Sequence, residues 1–138
     1  MSAFFRAGGL TILFIASALR LGAQEAEPTE PSSTRDGVYT EAQAEQGRAV
    51  VHSICTECHM DAEFVGTFIK SWAGASVGDL FEQVATTMPE NRPGGLRPEQ
   101  YAQVLAYIFQ LNGLPPGDSE LKPDIEDLRE IIIEGSQG

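Results

Sequence analysis

The chain has 138 residues, 42% hydrophobic and 21% charged, and its 20 acidic against 9 basic residues give a formal charge of −11 at pH 7. That balance disfavours strong binding to nucleic acid or to anionic lipid. It is compatible with plain solubility or with steering toward a basic docking patch on a partner.

In chain order, Met1 to Arg6 is short and positive, Leu10 to Leu19 is apolar, and small residues follow. This is the pattern of a secretory signal peptide, assigned to residues 1–23, with cleavage after Ala18 or after Ala23. The uncharged stretch between Arg6 and Arg20 is 13 residues, short of the roughly 20 that a spanning helix needs, so no transmembrane anchor is expected. Removing it takes away two arginines and no acid, leaving a still more acidic chain. Residues 24–39 are rich in Glu, Pro, Ser and Thr without apolar periodicity and read as a flexible linker.

A helix is expected to start at Thr40, with Thr40 and Gln43 as the two halves of a capping box. It runs toward Cys55-Thr56-Glu57-Cys58-His59. Phe64, Phe68 and Trp72 recur every four residues, the spacing of one helical face. Ser76 with Asp79 marks another start, followed by Leu80, Phe81 and Val84, and Thr86-Thr87-Met88-Pro89 ends that helix. Asn91 to Gly95 is turn chemistry. Pro98 suits the first turn of a helix carrying Tyr101, Val104, Leu105 and Ile108, and Gly113 stops it. Tyr39 and Tyr101 read as packing residues. The fold class is all-α, with a domain over residues 40–114 and a C-terminal extension over 115–138. In that extension Asp124 to Glu134 is amphipathic, with Ile125, Leu128 and Ile132 on one face, and strand signals are confined to Ile131 to Ile133.

C-x-x-C-H is the spacing of covalent c-type haem attachment. Each thiol can add to one vinyl group of the porphyrin, and the adjacent histidine then meets iron through an imidazole nitrogen. A closed zinc site is the rival, but it wants four ligands and the chain has only two cysteines and two histidines. Such a haem c, bound through Cys55 and Cys58, has His59 as one axial ligand. The other follows by elimination. His52, seven residues before His59, lies on the same side of the ring; Met60 adjoins His59; Met1 leaves with the signal. Met88 remains, and a thioether suits haem iron and raises its potential. Arg92, close to Met88 in sequence, can neutralise a haem propionate, although a loop arginine is more commonly just solvated.

From Gly47 to Leu121 the chain resembles a class I cytochrome c, most closely the small periplasmic cytochromes c associated with quinoprotein (PQQ) and related dehydrogenases. The resemblance is carried by the haem motif, Gly78-Asp79-Leu80-Phe81, Thr87-Met88-Pro89, Pro93-Gly94-Gly95-Leu96, Tyr101, Ala106-Tyr107-Ile108, Asn112-Gly113-Leu114-Pro115 and Glu120-Leu121. It implies the class I cytochrome c fold, helices wrapped around one haem, with His/Met iron and with Gly47 and Val51 meeting Val104 and Tyr107 where the first and last core helices cross. It also implies that the Trp72 indole donates to a propionate, whereas spacing alone makes Trp72 a core residue. Two residues depart from the pattern: Arg97 replaces a better helix cap, and Val51 is smaller than the usual aromatic.

The function expected is one-electron transfer in the periplasm, from a dehydrogenase to a downstream cytochrome or terminal oxidase, by a monomer or by the subunit of a dehydrogenase complex. No catalytic residue is expected. The alternative is a haem enzyme or gas sensor in which Met88 is labile or not bound.

Overall fold

Thr40 opens the first helix by accepting the backbone amide of Gln43 on its side-chain oxygen at 3.1 Å, which satisfies one of the helix's orphan donors. The helix, α1, spans Glu41–Ile54. In the computed structural model, which describes residues 31–135, it is followed by 3-10 turns at Cys55–Glu57 and Asp61–Phe64. Helices α2 (Thr67–Ser71), α3 (Val77–Thr87), α4 (Pro98–Leu111) and α5 (Ile125–Arg129) complete the order. Among the described residues there is no strand, only isolated bridges of Ile132 to Ser33 and to Ser76. The described residues are therefore all-α. No helix among these residues is long and apolar enough to cross a membrane. The expected signal peptide, both cleavage sites and residues 24–30 of the linker lie outside the described residues.

The core is built on the crossing of α1 with α4. Gly47 sits where α1 meets the backbone of Gln103, and a Cβ there would fall on the Gln103 carbonyl. Only glycine lets the two backbones come this close. Val50, Val51, Val104, Leu105, Ile108 and Phe109 are buried around the contact. Helix α3 is fixed at its start by Ser76 and Asp79, whose side chains accept each other's backbone amides at 3.0 and 3.2 Å. Those bonds hold the Asp79 carboxyl below its usual range. Helix α4 begins at Pro98 despite Arg97, because Gln100 Oε1 accepts the Arg97 amide at 3.1 Å.

Four expectations are corrected. Phe64, Phe68 and Trp72 do not share one helix: the chain turns at Gly66, with φ +67°, between Asp61–Phe64 and α2. Gln43 does not reach back to Thr40. Its amide instead bonds both Leu121 backbone groups at 2.8 Å, pinning the C-terminal extension to α1. The amphipathic tail is helical only over Ile125–Arg129, after which Ile131 and Ile133 are buried while Ile132 is exposed, the alternation of an extended segment. Residues 33–39, assigned to the flexible linker, are packed: Thr34, Val38 and Tyr39 are buried, and Thr34 and Ile132 pair through the backbone at 3.0 Å. The hydrophobic core thus draws on both flanks of residues 40–114, through Val38, Tyr39, Leu121, Leu128, Ile131 and Ile133.

Candidate functional site

The backbone folds Cys55 to His59 into one tight turn, because the Cys55 carbonyl accepts the amides of both Cys58, at 3.1 Å, and His59, at 2.8 Å. Cys55, Cys58 and His59 consequently face one cavity of about 910 Å³. Its wall is mostly apolar, from Phe64, Phe68, Trp72, Leu80, Val84 and Ile108, and polar groups such as Gln83 and Glu90 stand among them. The two cysteines form no disulfide; Cys55 is half-buried and Cys58 exposed. Burial pushes the Cys55 thiol up.

The His59 ring is held by two neighbours. Its Nδ1 lies 3.2 Å from Glu63 Oε2, and the Phe64 ring packs against it with centroids 5.5 Å apart. A carboxylate oxygen accepts, so a neutral His59 that donates Nδ1–H to Glu63 keeps the Nε2 lone pair for a metal. Met88 is the residue that ends α3; it lines the same cavity and is 36% exposed. Its carbonyl accepts the Tyr101 hydroxyl at 2.7 Å, and the Leu96 amide donates to that hydroxyl at 3.3 Å. One phenol therefore ties both ends of the 88–96 loop to α4.

The cavity thus gathers Cys55, Cys58, His59, Met88 and Trp72. Arg92 is not part of its lining. The turn between Pro89 and Gly95, closed by amide bonds at 2.8 and 2.9 Å, leaves Arg92 exposed with its side chain against Gly95. Nearness to Met88 along the chain does not carry the guanidinium to the cavity. Trp72 lines the cavity, and its indole has no hydrogen-bond partner among the described protein groups.

His52 is outside the cavity lining. Its Nε2 is 3.0 Å from Asp61 Oδ2, which also accepts the Tyr107 hydroxyl at 3.1 Å. This cluster joins the segment after His59 to the α1–α4 crossing.

Three further residues shape the site. Tyr101, read as packing, is also the tether of the Met88 loop. Glu63 partners His59, and the only sequence signal for it was the four-residue spacing. Asn112 holds the turn after Phe64: its amide nitrogen donates to Phe64 O at 2.8 Å, and its Oδ1 accepts the Gly66 amide at 2.9 Å. Nothing in its local sequence points across 46 residues to that turn.

Two thiols on one turn, an imidazole with Nε2 free and a thioether around an apolar cavity make a donor set that fits a covalently held metal macrocycle. Among the described residues no group of three or more His, Cys, Asp or Glu side chains is placed to hold a metal ion by itself. No protein-family model, curated protein or solved structure matches the chain.

Proposed function

We propose that the chain is a periplasmic mono-haem c-type cytochrome with the class I fold, carrying single electrons from a dehydrogenase to a downstream cytochrome or oxidase. The observation that supports it most is the convergence of Cys55, Cys58, His59 and Met88 on one cavity of about 910 Å³. When bound, haem supplies reversible exchange of one electron between ferrous and ferric iron. The chain's residues do the rest. Cys55 and Cys58 would tether the group as thioethers, His59 would offer Nε2 and Met88 its sulfur, and Phe64, Phe68, Leu80 and Ile108 would keep water away. Were His59 and Met88 both to bind the iron, no position on it would be left for a substrate, which supports a carrier over an enzyme. An acidic surface suits brief, steered encounters with redox partners. The N-terminal signal pattern supports export.

The test is to express the full chain in a host that matures c-type cytochromes, stain a denaturing gel for haem, and record spectra with and without carbon monoxide. Covalent haem, a ferric iron–sulfur charge-transfer band lost in Met88→Ala, and indifference of the reduced protein to carbon monoxide are expected. Ready binding of carbon monoxide would remove Met88 from iron and turn the reading to a haem enzyme or gas sensor. Absence of haem would overturn it.

A further inference from the structure

His59 and Glu63 are four residues apart, and the 3-10 turn Asp61–Phe64 brings the carboxylate back to the ring. Glu63 Oε2 meets two donors: His59 Nδ1 at 3.2 Å and the Met60 backbone amide at 3.1 Å. The second belongs to the residue next to His59. It anchors a long and otherwise mobile side chain relative to the imidazole, so the contact does not depend on Glu63 finding the ring unaided. Both side chains are partly open to solvent, 37% for His59 and 50% for Glu63. Of the other charged groups near the motif, Glu57 and Glu90 on the cavity wall make no hydrogen bond to the imidazole, and Asp61 is taken up by His52 and Tyr107.

We infer that Glu63 is a positioning residue that turns His59 Nε2 toward iron, makes the imidazole a stronger electron donor, and lowers the reduction potential of the centre. The inference rests on the haem reading and on ligation by His59. A histidine ligand that donates its second N–H to an anion is fixed in tautomer and orientation, and its ring gains electron density. Ferric iron, one charge more positive than ferrous, gains more from that density and from the nearby negative charge. In the redox step one electron passes from the donor protein to ferric iron to give ferrous iron; no bond to His59 breaks, and Nδ1 keeps its proton. Glu63 therefore opposes Met88, whose thioether raises the potential.

The haem-loaded full chain is compared with Glu63→Gln and Glu57→Gln by redox titration at low and high salt. Glutamine keeps an acceptor for the Met60 amide and removes the anion. At fixed ambient potential the ratio of reduced to oxidised protein is expected to rise about tenfold in Glu63→Gln, equivalent to about 59 mV for one electron, with most of the shift surviving high salt. Glu57→Gln removes a charge from the cavity wall without touching Nδ1 and is expected to shift the ratio much less. An unchanged ratio in Glu63→Gln, or equal shifts in both variants, overturns the inference. The wild-type protein gives a second reading that no unfolded variant can spoil: in the ferrous state the His59 Nδ1 proton should exchange slowly with solvent, and free exchange overturns the inference. A wild type without covalent haem overturns the underlying reading and this one together. Haem-loaded wild type with no effect of Glu63→Gln overturns this one alone.

Discussion

Tyr101 donates its hydroxyl hydrogen to the carbonyl oxygen of Met88 over 2.7 Å, and Tyr101 itself is only 3% exposed. The phenol also packs edge-on against Phe81, with ring centroids 6.1 Å apart, so the donor is held in place by the helix that Met88 terminates. Replacing Tyr101 with Phe keeps the packing and deletes the bond, which leaves the Met88 carbonyl and the Leu96 amide without this partner. A loss of about 1–2 kcal/mol is expected from urea unfolding. In haem-loaded protein the methionine-dependent band should weaken and carbon monoxide should bind faster. Unchanged spectra would show that the loop does not need the tether.

Gly47→Ala should destabilise by about 3 kcal/mol or more, measured by the shift of the urea midpoint. Intrinsic propensity predicts the opposite sign, since alanine is favoured over glycine inside a helix by about 1 kcal/mol. The methyl group meets backbone, the Gln103 carbonyl, which cannot rotate aside as a side chain does. A stabilised variant would mean that α1 and α4 are not in backbone contact.

Asn112→Ala removes the partners of the Phe64 carbonyl and the Gly66 amide and one bond to Ile108 O at 2.8 Å. Asn112 is buried, so the cost is expected to be about 2–3 kcal/mol. Hydrogen exchange should show early opening of residues 64–70, with α1 protected as before. Uniform loss of protection would contradict a local clamp.

Tyr39 governs the alkaline limb. Its hydroxyl donates to Leu114 O at 2.6 Å, and burial, with Glu41 adding to it, pushes its pKa up to about 12 from 10.0. The folded value exceeds the unfolded one, so the stability this group contributes is complete below pH 10 and is lost as the pH rises from 10 toward 12. Tyr39→Phe should be less stable than wild type at pH 7 by about 1–2 kcal/mol. The gap should narrow steadily above pH 10. A gap that stays constant across that window would remove Tyr39 as its cause.

Much of this fold was legible because local chemistry decided it. Thr40, the Ser76–Asp79 pair and Pro98 mark three helix starts, and each acts within four residues of itself. The spacing of Cys55, Cys58 and His59 already implied that they act together, whereas Gly47 was placed at a close helix contact by the resemblance and not by its local sequence. What escaped was set at a distance. The four-residue period of Phe64, Phe68 and Trp72 is met as well by two short helical pieces around Gly66 as by one helix, and the partner that stabilises the break, Asn112, comes from α4. Gln43 had two acceptable uses, a capping box or a long-range clamp, and only the position of Leu121 selects between them. The direction of Arg92 depends on the closure of the Pro89–Gly95 turn, which composition does not show. Ile131 to Ile133 carried strand character inside a helical period, and the outcome depended on Ser33 and Ser76 being available as partners.

The stitching of residues 32–35 to 132–135 bears on the order in which the molecule can be made. Arg35 Nη2 donates to Gly135 O at 2.7 Å across a sequence separation of 100, and the Glu134 amide donates to Thr34 Oγ1 at 2.9 Å across the same separation. Contacts of such long range close late, because their loop entropy must be overcome first. Every residue lining the large cavity, by contrast, falls between Ile54 and Ile108. In a chain delivered from its N-terminal side, the cavity walls are all present before the strap that joins the two flanks exists. The later arrival of residues 132–135 then joins the two flanks, and with it Ile131 and Ile133 complete the core.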